Sequence, residues 1–155
     1  SDKYPEHSGF TEKLHQLKIG DELTIRDSWG AIQYKGEGVF IAGGAGITPF
    51  IAILRKLRKE NKLGSNKLIF SNKTSKDIIL EHEFKEMLKE NLTLTLTKEE
   101  NPNYETGIVN EKFLNKHLKN FNQKFYVCGP PQMVKDLKQT LTNLGADTDS
   151  LIFEK

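Results

Sequence analysis

A chain of 155 residues suits one domain of ordinary size, or one domain with part of another. With 36% hydrophobic and 28% charged residues it has a globular balance, which excludes a disordered chain. A net charge of +2, dispersed lysines and no basic block interleaved with aromatics give nucleic-acid binding no support.

No apolar run approaches the ~20 residues of a transmembrane helix. No charged-then-apolar leader opens the chain, so a cytoplasmic protein that does not enter membranes is expected. The single cysteine, Cys128, cannot make an internal disulfide, and no Cys/His group has zinc spacing, so no metal site is expected.

The first stretch, before Gly36-Glu37-Gly38, reads as turns and short strand-like pieces. Gly20-Asp21 signals a turn, and Leu23-Thr24-Ile25 alternates as a half-buried strand does. Val39-Phe40-Ile41-Ala42 is continuously apolar, as in a strand buried on both faces of a parallel sheet. A glycine-rich turn follows, then a helical pattern from Pro49 to Leu57 with Thr48 as its N-cap and Pro49 at its first position.

Leu68-Ile69-Phe70 is a second strand. Glu81 to Lys89 is a helix with Phe84, Met87 and Leu88 on one face. Leu92 to Thr97 alternates strictly as a third strand, and Asn110 can cap a helix from Glu111 to about Leu118. Phe125-Tyr126-Val127 is a fourth strand. Pro130 or Pro131 opens a helix to about Leu144, with Gly145 as its stop, and Leu151-Ile152-Phe153 is a fifth strand.

Strand and helix alternate throughout, which implies a doubly wound α/β fold. The expected sheet is parallel and five-stranded, in the order 3-2-1-4-5. Ligands in such folds bind beyond the carboxyl ends of the strands. Two loops there are unusual: Gly43 to Pro49 after the first strand, and Cys128 to Pro131 after the fourth. If the strand order reverses beside the first strand, both loops face one crevice.

Gly43, Gly44 and Gly46 let the backbone turn tightly and let a ligand approach the main chain. Opening a helix, such a turn presents free N–H groups and the positive dipole end to a pyrophosphate. It serves equally as a tight turn for strand-to-helix packing. The motif is neither G-x-G-x-x-G nor a Walker loop. Cys128 is either a small buried apolar residue or a thiol bordering a ligand in the crevice. No His or Asn partner supports a nucleophile.

His7, His15, His82 and His117 lie in polar surroundings and are expected in solvent. The run Arg55 to Lys62 reads as the outer face of a helix, with a docking patch for an acidic protein as the alternative. Trp29 and Tyr34 are expected to be packing residues.

Taken together, Val39-Phe40-Ile41-Ala42-Gly43-Gly44-Ala45-Gly46-Ile47-Thr48-Pro49-Phe50 and Phe125-Tyr126-Val127-Cys128-Gly129-Pro130-Pro131-Gln132-Met133 resemble the ferredoxin–NADP⁺ reductase superfamily in order and separation. That superfamily includes flavodoxin reductases, cytochrome b5 reductases and the reductase parts of oxygenases. The resemblance implies that residues 1–35 are the last strands of an antiparallel FAD-binding β-barrel and that 36–155 form an NAD(P)-binding domain. The family's first flavin motif, of the Arg-x-Tyr-Ser/Thr type, is not found here, so most of the barrel is expected to be missing.

The resemblance further implies hydride transfer from NAD(P)H to FAD, then single-electron transfer to an acceptor such as flavodoxin, ferredoxin or an oxygenase. The chain would act as a monomer. Gly43, Gly44, Gly46, Thr48 and Pro49 would hold the nucleotide. Cys128, Gly129, Pro130 and Met133 would border the nicotinamide, with Cys128 the residue closest to the chemistry. Gly9, Phe10 and Thr11 resemble the second flavin motif.

Ser71, Asn72 and Lys73 follow the second strand, where the adenosine ribose is expected. Lys73 suits a 2′-phosphate, yet Asn72 to Ile78 also resembles the NADH-using cytochrome b5 reductases, so the coenzyme choice stays open. The rival readings are a nucleotide-binding module without redox activity and a doubly wound methyltransferase. The latter favours an acidic residue after the second strand, where Phe70-Ser71-Asn72 has none.

Overall fold

A computed structural model describes residues 9–25 and 32–153. Six parallel strands form one sheet: β1 (Gly38–Gly43), β2 (Lys67–Asn72), β3 (Leu92–Leu96), β4 (Glu105–Thr106), β5 (Lys124–Cys128) and β6 (Leu151–Phe153). Their order is β4-β3-β2-β1-β5-β6. The five expected strands have the expected order. The sixth, β4, extends the edge by pairing Glu105 with Thr95 and Thr106 with Leu96. Two polar residues between turns carry no periodic signal, so this strand exists only through its partner.

The helices are α1 (Phe10–Gln16), α2 (Thr48–Lys59), α3 (Glu81–Leu88), α4 (Glu111–His117) and α5 (Pro131–Asn143). Leu23-Thr24-Ile25, read as a strand, forms none. Leu23 is 51% and Ile25 79% exposed, and no partner strand lies beside them among the described residues. Alternation makes a strand only where another edge supplies hydrogen bonds. The expected barrel strands are therefore not formed in residues 9–25, which hold α1 and coil instead. Trp29 and His7 lie outside the described residues.

Every residue of β1 is buried, because both faces of the sheet are covered. Phe40, Ala42, Tyr126 and Cys128 face one cluster with Phe50 and Leu54 of α2 and Phe84, Met87 and Leu88 of α3. Val39, Ile41, Phe125 and Val127 face the other, with Phe113 and Leu114 of α4 and Leu137 and Leu141 of α5. Burying a side chain the size of Phe40 contributes about 1.5–3 kcal/mol. The Phe40 ring also stacks on Tyr126 at 4.5 Å and meets Phe50 edge-on at 5.1 Å.

The amino ends of the central strands are closed by a polar knot. The Lys35 amide donates to the Tyr126 hydroxyl (2.8 Å), which donates to the Gly36 carbonyl (2.7 Å). The Gly38 amide donates to Asn66 Oδ1 (3.0 Å), and Asn66 Nδ2 donates to Tyr34 Oη (3.0 Å) and the Leu63 carbonyl (2.8 Å). Tyr34 is a packing residue, stacked on Tyr126 at 5.9 Å.

His15 and His82 are exposed, but His117 is not: its side chain is 18% exposed and stacks against Phe113 at 4.5 Å. Its Nε2 has no hydrogen-bond partner among the described residues and lies 3.6 Å from Glu105 Oε1. Burial pushes the imidazole below its usual value near 6.5, and the attraction of Glu105 opposes this only in part. The folded state thus holds the proton less well than the unfolded chain. Its contribution to stability is present above about pH 6.5 and falls as the pH drops toward the folded value. Denaturant titrations at pH 7.5 and 5.5 should show the wild type losing more stability on acidification than His117→Leu. Equal losses would remove this assignment.

Candidate nucleotide site

The sheet order reverses beside β1, which lies between β2 and β5. The turns leaving β1 and β5 therefore meet, as the two-loop argument requires. Gly43 runs extended into a 3₁₀ turn, Gly44–Ile47, and α2 begins at Thr48. Gly44 has φ of +52°, which an L side chain adopts only with strain. Nothing lies within 4 Å of where its Cβ would stand, so this position opens onto free space.

Gly46 is buried for a different reason. A Cβ there would collide with the Cys128 carbonyl and stand 2.6 Å from the Gly129 amide nitrogen. A Cβ on Gly43 would collide with Met133 Sδ and approach Pro130 Cδ at 2.9 Å. The two loops are thus in backbone contact.

Thr48 departs from the expected cap. It occupies the first helical position, and its Oγ1 donates to the Ala45 carbonyl at 3.0 Å. Ile47 takes the cap position, without a side-chain hydrogen bond, and Pro49 follows in the first turn. The hydroxyl braces the turn, and the first-turn N–H groups of α2 keep no side-chain acceptor. Asn110 is the cap foreseen for α4: its Oδ1 accepts from the Phe113 amide at 3.0 Å.

A cavity of about 390 Å³ opens at the carboxyl ends of the strands. Of the residues read from the sequence, Gly43, Gly44, Ser71, Asn72, Lys73, Pro130 and Met133 line it. Gly46, Thr48, Pro49 and Gly129 build the turns behind it. Cys128 is buried, at 3% exposure, in the cluster on the α2 side of the sheet, and is not a lining residue. Gly9, Phe10 and Thr11 lie at the start of α1, and Gly9 is not a lining residue.

Sequence reasoning missed Thr97, Ile108, Val109, Asn110, Asp136 and Thr140. Thr97 ends the β3 pattern, and Asp136 and Thr140 share a helical face with Met133, so a signal existed for these three. Ile108 and Val109 carry none; they reach the cavity because β4 carries the chain back along the sheet edge.

Asn72 stands out within this lining. It is 5% exposed, and neither its Oδ1 nor its Nδ2 has a hydrogen-bond partner among the described residues. Asn66, at the opposite end of β2, satisfies its amide fully. A buried amide left without partners costs about 1–3 kcal/mol, so a polar ligand group at Asn72 would recover that cost. The open cradle at Gly44, the uncapped start of α2 and the Asn72 amide together fit a nucleotide. Among the described residues no group of three or more His, Cys, Asp or Glu could hold a metal ion.

Residues 40–139 match the model of the oxidoreductase NAD-binding domain. The chain belongs to that family. It is 30% identical to mouse NADH-cytochrome b5 reductase 3, over 86% of this chain and 54% of the relative. The chain thus spans about half the length of that curated relative. Its fold is that of the ferredoxin reductase-like proteins. The cytochrome b5 reductase domain of Ulva prolifera nitrate reductase superposes with a TM-score of 0.78 at 23% identity, over 99% of this chain and 66% of that one. A Neisseria gonorrhoeae ferredoxin NADP⁺ reductase, solved with FAD and NADP, superposes with a TM-score of 0.65 at 24% identity, over 75% and 54%.

The two glycines make separable predictions. Gly46→Ala meets backbone atoms that cannot swing aside, so it should cost on the order of 1–3 kcal/mol through overpacking and shift the Gly129 amide resonance. Gly44→Ala meets only its own backbone strain, about 1–2 kcal/mol, and should leave Gly129 unmoved. A Gly129 resonance that responds to neither substitution would contradict the contact.

Proposed function

We propose that this chain is the nucleotide-binding part of a flavin-dependent oxidoreductase that passes hydride from NAD(P)H to FAD and then single electrons to an acceptor protein. The observation that carries the reading is the cavity where the two turns meet, with the unpartnered Asn72 amide in its wall. The nicotinamide and flavin supply the redox chemistry when bound, and the chain binds, orients and shields them.

The start of α2 and the Gly43–Gly46 turn take the pyrophosphate through peptide N–H groups, as helix N-termini do for anions. Asn72 offers a donor and an acceptor to the nucleotide's hydroxyl groups or phosphates. Pro130 and Met133 give the cavity an apolar wall, which keeps water from a reacting ring. Cys128 lies behind the cavity wall and supports it from the core. Its thiol sits in the same cluster as Ala42 and Ile47, and its carbonyl meets Gly46, so it positions the turn and attacks nothing.

FAD would be met in part by Gly9, Phe10 and Thr11, as residues of the complete protein. For the acceptor, the names of the curated relatives favour a cytochrome b5-type haem protein over the flavodoxin or ferredoxin first expected. A nucleotide-binding module without redox activity is the second reading, since the cavity lining comes from the nucleotide turns and does not include Gly9.

Rapid mixing of the full-length, flavin-loaded protein with NADH or NADPH tests the two. Bleaching of the flavin absorbance is expected, and Asn72→Leu should weaken saturation about tenfold, the worth of roughly 1.4 kcal/mol. No bleaching with either nucleotide would overturn the oxidoreductase reading and leave the binding module.

A further inference from the structure

Met133 stands in the first turn of α5 and lines the cavity beside Pro130. A Cβ on Gly43 would collide with its Sδ and stand 3.4 Å from its Cε. The same sulfur lies 3.2 Å from where a Gly129 Cβ would stand. Sδ is therefore wedged against the backbone of both turns, at the contact on which the cavity depends. The side chain is half-buried, so it is packed on one side and faces the cavity on the other.

The chain has two methionines. The other, Met87, is 8% exposed in the core cluster with Phe84 and Leu88 and is not a lining residue. Peroxide oxidises a thioether where it can reach the sulfur, so the two differ in access. An added oxygen makes a flexible apolar side chain larger and polar. On the packed side Gly43 and Gly129 leave no room for that oxygen, and the turns must separate. On the open side the oxygen projects into the cavity and replaces part of its apolar wall. Both arrangements weaken the site.

We propose that Met133 is an oxidation site through which peroxide weakens nucleotide binding when the cavity is empty. Sδ attacks one oxygen of hydrogen peroxide, and the O–O bond breaks as the S–O bond forms. The transferred oxygen gives its proton to the departing hydroxide, which leaves as water. The thioether loses two electrons and the peroxide gains them. Methionine sulfoxide reductases return the sulfoxide to the thioether, so the change is reversible. The proposal rests on the nucleotide-site reading above and adds a regulation of that site.

Treating the full-length protein with dilute hydrogen peroxide, with and without saturating NAD⁺ or NADP⁺ (whichever binds tighter), tests this. Fragment masses locate the added oxygen. Met133 should gain it well before Met87, and the nucleotide should slow the gain. Calorimetric titration should then show about tenfold weaker nucleotide binding, recovered after methionine sulfoxide reductase and a thiol reductant. Met133→Leu conserves volume and should keep, after peroxide, the affinity it had before. Equal oxidation of both methionines, undiminished affinity once Met133 is oxidised, or a loss that persists in Met133→Leu overturns the proposal alone. Failure of the untreated protein to bind either nucleotide overturns it together with the nucleotide reading.

Discussion

The structure depends on one close approach: the backbone of Gly46 against the carbonyl of Cys128 and the amide of Gly129. Parallel pairing puts Ala42 beside Cys128 at the ends of β1 and β5, and the two chains must then leave the sheet in the same place. Only a residue without Cβ lets the first turn pass over the end of the second strand. The same constraint acts at Gly43, where Met133 and Pro130 fill the space a side chain would need. The cavity exists because these loops lock together at backbone level, with the Gly44 position left facing open space.

The two ends of the sheet are built for opposite purposes. At the amino end, Asn66 and Tyr126 spend their polar groups on backbone atoms of Lys35, Gly36, Gly38 and Leu63. That end is closed, and its polar groups rigidify the entry to β1. At the carboxyl end, Asn72 is also buried and its amide has no partner among the described residues. Folding alone gives no return for burying that amide. It is intelligible as a group whose partners arrive with the nucleotide, and it ties a local cost in stability to binding.

Much of this was legible in the residues. The strands of the core are continuous apolar runs, and the glycine-rich and Cys128-Gly129-Pro130 turns mark the strand ends that matter. What was lost was lost for physical reasons. β4 is two polar residues held by β3, and Ile108 and Val109 enter the cavity only because that strand redirects the chain. Thr48 looked like a cap, but the 3₁₀ turn before it moved the cap position to Ile47 and spent its hydroxyl on Ala45. His117 looked solvated among lysines, although α4 turns it onto Phe113. Leu23 to Ile25 had a strand's alternation without a strand to pair with.

The central claim is that the meeting of the β1 and β5 turns is a nucleotide site. Backbone amide resonances of the chain, followed while NADP⁺ is added, test it most directly. The account predicts saturable shifts at Gly43 to Thr48, Ser71 to Lys73, Gly129, Gln132 and Met133, with the amino-end residues around Asn66 unmoved. No shifts, or shifts confined to the amino end of the sheet, would contradict it.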